Sequence, residues 1–302
     1  MRILLLVLTL CILPADAFAW GVGVHLSLGS CILEANSMLP AALANLLTAY
    51  PLDYLYGCVA ADITLGKKFT HYLDHCHNWR VGNQILEHAR KEGPEAEACA
   101  YGYLSHLAAD TVAHNYYVPL KLSTTFNTVL HNHAYWEVRA EFGIADDVWE
   151  LAEQLSKRDN SNLDNMLSRT VSKTLFSFGT NKQLFNSMML VSRLQRWHKI
   201  LRTVANRSKF QLDDTEHSEY LLMALEAISG ILSDPESPYW NADPTGDRAL
   251  AAAKQIRKNM NMLWLDGKLL PEDSDLIIED LRTRFKLGIT NPDELLPLLT
   301  VA

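Results

Sequence analysis

Apolar residues recur at three- and four-residue intervals along most of the chain, and no run of β-branched residues alternates between turn signals. That periodicity predicts helices over 41–48, 81–91, 97–114, 131–142, 147–157, 182–204, 216–232, 247–263 and 271–285. Helix-stopping pairs fall between these segments: Gly93-Pro94, Asp234-Pro235, Asp243-Pro244 and Asn291-Pro292. Without a strand pattern, 302 residues of this kind are expected to form an all-α fold, a multi-helix bundle.

Within that helical chain one stripe demands a partner. His106, Asp110 and His114 stand four residues apart. Each step of four advances roughly 400° around a helix, so the three side chains share one face spread over roughly 80°. Mostly apolar residues lie between them, so the face is expected to point inward. Three ionisable groups cannot be buried cheaply unless something pairs with them, and a divalent cation answers that need. His133 and Glu137 repeat the four-residue spacing. A single pair of this kind is more often an ordinary surface contact. Here nine of the 11 histidines lie between His25 and His133, so the two sets together point to a metal centre.

Further candidates lie upstream. His25 ends Trp20-Gly-Val-Gly-Val-His25, Asp62 ends a small apolar run, and His71, His75 and His77 crowd one short segment with Asp74. Imidazole and carboxylate donors without a Cys-x-x-Cys pair suit zinc in a hydrolytic site, or another divalent metal. His88, His198 and His217 are expected to be ordinary histidines, Lys67-Lys68 a solvated turn, and His131 a poorer ligand than His133. Tyr116, Tyr117, Tyr135 and Trp136 beside the candidate ligands are expected in the core.

The start of the chain has the pattern of a secretory leader: Arg2, an apolar run over 3–13, and Ala17-Phe18-Ala19 before Trp20. We therefore expect a signal peptide over 1–19, cleavage before Trp20, and export to the periplasm or the medium. The expected organisation is a catalytic region over 20–157 and a helical region over 158–302, packed on the same domain, with a soft boundary near 158–165, at the polar run Arg158-Asp159-Asn160-Ser161-Asn162. Cleavage leaves Cys31, Cys58, Cys76 and Cys99, which suit either two disulfides or buried thiols. The formal charge of -8, from 35 acids and 27 bases, argues against bulk nucleic-acid binding.

The order Trp20, His25, Asp62, upstream histidine, His106-x-x-x-Asp110, His114 and His133-x-x-x-Glu137 resembles the zinc-dependent phospholipase C superfamily. Within it, the run Tyr103-Leu-Ser-His106-Leu-Ala-Ala-Asp110-Thr-Val-Ala-His114 is most similar to the amino-terminal domain of glycosylphosphatidylinositol phospholipase D and its bacterial relatives. Bacterial phospholipases C and the related single-strand nucleases have six residues from Asp to the next His, through a Gln-Pro turn absent here. The likeness covers roughly residues 20 to 140.

It implies an all-helical fold around three zinc ions. The first would be held by Asp62, His106, Asp110 and an upstream histidine, with His77 preferred and His71 the alternative. His114, His133 and Glu137 would hold the second. Trp20, through its new amino terminus, and His25 would hold the third, with Asp110 bridging. Asp62 and Asp110 would also serve catalysis by orienting or deprotonating the attacking water. The implied activity is hydrolysis of a phospholipid or related phosphodiester, with peripheral membrane contact. A zinc nuclease of the same superfamily and a non-catalytic zinc-binding envelope protein are the alternatives.

Overall fold

The computed structural model describes residues 20–64, 75–128, 133–171, 177–192, 210 and 212–300. The leader over 1–19, His71, Asp74, the Lys67-Lys68 pair, His131 and His198 lie outside them. Among the described residues there is no strand. The helices run in the order α1 Val22–Glu34, α2 Ala41–Ala49, α3 Pro51–Ala60, α4 Trp79–Glu92 and α5 Pro94–Val112. A π turn, Ala113–Tyr117, leads into α6 Val118–Thr124. After α7 His133–Ala140 come α8 Asp146–Lys157, α9 Ser161–Thr170 and α10 Phe178–Ser192. The chain closes with α11 Asp214–Ser233, α12 Asp247–Leu265, α13 Pro271–Gly288 and α14 Leu296–Thr300.

Where a helix has one wet face, its bounds follow the periodicity closely. α4 starts at Asn78, whose side chain accepts the Arg80 N–H at 2.8 Å, and stops at Gly93. It buries Val81, Ile85, Leu86 and Ala89 on one side. α5 begins on Pro94 with Glu95 and Glu97 in its first turn, where the helix dipole favours them.

Periodicity missed α1 and α3, which have little polar face to alternate with, and also α9, whose apolar positions Leu163, Met166 and Leu167 do share one face. In α3 every residue from Asp53 to Ala60 is buried, and α1 buries Gly23 to Leu26 together with Leu28, Gly29 and Ile32. Within the polar run at 158–162, residues 158–160 form the turn between α8 and α9, and Ser161 opens α9. Asn160 is buried and donates to the Leu155 carbonyl at 3.0 Å, while Asp159 accepts the Ser161 N–H at 3.0 Å.

α5 is the central helix, buried almost continuously from Ala98 to Val112 and flanked by α3, α4 and α11. Its crossing with α3 is backbone on backbone. A Cβ at Gly57 would lie 1.9 Å from the Cys99 carbonyl oxygen, and one at Gly102 would lie 1.9 Å from that of Tyr54. Only glycine fits that approach, which brings the 3₁₀ turn Ala61–Ile63 at the end of α3 alongside α5. The later helices close the same core: α11 packs on α5 and α1, and α12 and α13 pack on α6 and the π turn. One apolar cluster extends from Trp20 to Leu295. The four described cysteines are free thiols. No described helix is long and apolar enough to cross a membrane.

Candidate metal centre

Each candidate ligand is delivered by a separate local device. His25 sits in the first turns of α1, Asp62 in the 3₁₀ turn after α3, and His77 just before the Asn78 cap of α4. His106 and Asp110 share a face of α5, and α7 carries His133 and Glu137. All of these side chains, and His114, are buried.

His25, Asp62, His77, His106 and Asp110 converge. The Nε2 atoms of His77 and His106 are 3.1 Å apart, and both face Asp110 Oδ2, at 3.1 and 3.3 Å. Asp110 turns its other oxygen, Oδ1, toward His25 Nε2 at 3.3 Å. Asp62 Oδ1 lies 3.4 Å from His77 Nε2 and 3.8 Å from His106 Nε2. The His25 and His106 rings stack at 3.8 Å. His114, His133 and Glu137 form a second group, with His133 Nε2 2.9 Å from Glu137 Oε1 and the His114 and His133 rings 5.7 Å apart.

Asp110 and His114 fall in different groups although the sequence places both on one stripe. The ladder switches to π register at Ala113, one residue before His114. Pro119 supplies the reason: it has no N–H to give the Asn115 carbonyl, and its ring would clash there in a regular α-helix. A π turn relieves both problems. The carbonyl of Thr111 is then met by the Asn115 side chain, whose Nδ2 donates at 2.8 Å. Pro119 was the available sequence signal.

The donor set suits a divalent cation. His25 Nε2, both Asp110 carboxylate oxygens and His133 Nε2 are buried and make no aligned hydrogen bond, although neighbouring donors and acceptors stand within 3.3 Å. Backbone carbonyls orient two of the imidazoles: Cys58 O lies 2.8 Å from His106 Nδ1 and Pro244 O lies 2.7 Å from His114 Nδ1. A carbonyl only accepts, so Nδ1 carries the proton in each and Nε2 keeps its lone pair for a metal. Burial pushes His106 below the ordinary histidine range and His114 down to about 4, so both are neutral at pH 7. Burial would raise the Asp110 carboxyl, yet His106, with contacts from His25 and His77, holds it well below the usual range. A neutral His106 beside an ionised Asp110 is the pairing that metal ligation requires.

Trp20 lies at the start of the described chain. Its indole is fully buried in the core, 6.0 Å from the Tyr117 ring. Trp136 and Tyr116 are likewise core residues.

Sequence reasoning passed over Glu141. Its Oε1 accepts the Val24 N–H at 3.0 Å, so a carboxylate just beyond α7 caps the first turn of α1, next to His25. Burial raises its pKa to about 7. The signal was present, since Glu141 continues the four-residue steps from His133 and Glu137. Cys76, whose Sγ lies 3.3 Å from His77 Nδ1, had no comparable signal.

A helical bundle that gathers imidazoles and carboxylates in buried groups fits a metal-binding protein with the donor set of hydrolytic zinc sites. The family model described as zinc dependent phospholipase C matches residues 24–184, more than half of the chain, and the chain belongs to that family. Membership makes zinc the metal to expect and supports a hydrolase of phosphodiesterase type. No curated protein and no solved structure matches the chain.

Proposed function

We propose that this chain is an exported, zinc-dependent phospholipase C-type hydrolase that holds three zinc ions and cleaves a phospholipid or related phosphodiester. The observation that carries the reading is Asp110, fully buried, with one oxygen toward His25 and the other toward His77 and His106. A carboxylate so placed suits bridging two ions. Zinc, when bound, supplies Lewis acidity toward the phosphoryl oxygens and lowers the pKa of the attacking water.

The chain's own groups would do the rest. His77, His106 and Asp62 would hold the first ion with Asp110, and His114, His133 and Glu137 the second. His25 would hold the third together with the amino end of Trp20, freed by cleavage before that residue. Asp62 and Asp110 would orient the water and accept its proton. No side-chain nucleophile is needed. The surrounding helices exclude bulk water, which strengthens the electrostatic contacts made inside.

The test uses mature protein beginning at Trp20, mixed phospholipid liposomes, and mass spectrometry of products with and without chelator. Diacylglycerol plus a phosphorylated head group, both abolished by chelator, is the expected result. A zinc-loaded sample that turns over no phospholipid would sink the lipid reading. Cleavage of single-stranded nucleic acid by that sample would move it to the nuclease branch.

A further inference from the structure

Among the described residues outside the family match, a short strap lays backbone carbonyls against the centre. It runs over 242–246, between the 3₁₀ turn Pro238–Asn241 and α12. Three consecutive carbonyls of this strap each accept from a different group of the centre. Ala242 O takes the Trp79 indole N–H at 2.7 Å, two residues after His77. Asp243 O takes the Asn115 amide at 2.7 Å, and Pro244 O takes His114 Nδ1–H at 2.7 Å.

The strap is itself made rigid. Asp243 Oδ1 accepts both the Thr245 N–H at 2.9 Å and the Thr245 hydroxyl at 2.8 Å. Pro244 restricts the backbone between them. Gly246 has φ +61°, and a Cβ there would sit 2.5 Å from the His114 Cβ and carbonyl oxygen, so the strap lies directly on the π turn. Trp240 packs on Trp79, with ring centroids 4.8 Å apart.

We infer that residues 242–246 and Asn115 are a positioning device for the zinc held by His114, His133 and Glu137. The inference rests on reading His114 as a ligand. Pro244 O selects the tautomer that offers Nε2, and Asn115 ties the π turn to the strap while satisfying the Thr111 carbonyl. Outer contacts of this kind typically change metal affinity about 10- to 100-fold.

Because the strap acts through backbone carbonyls, the test removes the groups that hold it. Zinc retention by the full-length mature chain is measured against a competing chelator for Asn115→Ala, Asp243→Ala and Asp243→Asn, with His114→Ala as the reference. Asn115→Ala and Asp243→Ala should weaken the same fraction of zinc that His114→Ala loses, by about 10- to 100-fold. Asp243→Asn, whose amide oxygen still accepts from Thr245, should hold zinc like the parent. If Asn115→Ala does not fold, Trp79→Phe removes the N–H to Ala242 together with part of the ring packed on Trp240, and should weaken the same fraction more mildly.

Parent-like zinc retention in folded Asn115→Ala and Asp243→Ala would overturn the inference. So would equal losses in Asp243→Ala, Asp243→Asn and a remote core variant of matched stability such as Leu47→Ala on α2, since these would show a merely structural role. A His114→Ala chain with parent-like zinc would overturn the ligand reading and the strap together. Zinc is the readout, so absence of phospholipid turnover would refute the substrate assignment alone.

Discussion

The two ligand groups are neighbours, but they are built by different means. His25, Asp62, His77, His106 and Asp110 come from the first half of the chain and meet where α3 crosses α5 at the Gly57–Gly102 contact. Asp110 organises that group by facing three histidines. His114, His133 and Glu137 have no central carboxylate of that kind. They depend on a π turn and on a carbonyl of Pro244, 130 residues along the chain from His114. The first group is specified by helix register and one close crossing, the second by a distant loop. Changes at the crossing and changes at the loop should therefore affect different ions.

The largest expected effect comes from Asp110→Ala. Several kcal/mol of charge stabilisation would go, lowering kcat/KM on a phosphodiester by about 10³-fold or more. His133→Ala should cost less, because it removes one ligand of the smaller group. If assays of turnover and zinc content find the two variants equally damaged, the centre behaves as one unit and the contrast between its parts fails.

Acid should act on the second group through His114. Its folded pKa is depressed to about 4, against an ordinary value near 6.5. A depressed folded value gives stability that is complete above about 6.5 and drains away as pH falls toward about 4. For the metal-free chain the loss from this residue is at most about 3 kcal/mol. Urea unfolding between pH 7 and pH 4 should show it, and His114→Gln should flatten the profile. A profile identical in both chains would assign the acid sensitivity elsewhere.

Gly57→Ala should destabilise by about 1–3 kcal/mol, because its Cβ would overlap the Cys99 carbonyl and push α3 from α5. Asp62 moves with α3, so zinc retention by the first group should fall while that of the second holds. Thermal unfolding and zinc titration together check this. An unchanged Tm would mean that the crossing is looser than its geometry requires.

The smallest effect belongs to the surface. Arg90 and Glu97 form an exposed pair at 3.2 Å, and Arg90→Ala should change stability by about 1 kcal/mol or less and leave zinc retention untouched. A loss of metal in that variant would show that α4 transmits surface changes to His77.

Legibility in the sequence followed the range of the forces involved. The His106–Asp110 and His133–Glu137 pairs were visible because four-residue spacing is local helix geometry. The choice of His77 over His71 rested on resemblance, and His77 now stands within 3.4 Å of Asp62 and Asp110 while His71 lies outside the described residues. α1 and α3 escaped notice because burial on nearly all sides erases the polar face that periodicity needs. Glu141 could have been found by continuing the four-residue steps past Glu137. Asn115 could not, since its role arises only once Pro119 has forced the π register.

By itself, the sequence determined the helical class, the inward stripe on α5 and the residue types able to bind zinc. Those properties depend on contacts within a turn or two of one helix. Only the tertiary structure decided how the ligands divide into two groups and what orients His114. His114 lies in the π turn, and the carbonyl that fixes its tautomer arrives from a loop no local pattern connects to it. Backbone carbonyls are the same in every residue, so which one meets an imidazole is settled by packing and not by side-chain identity.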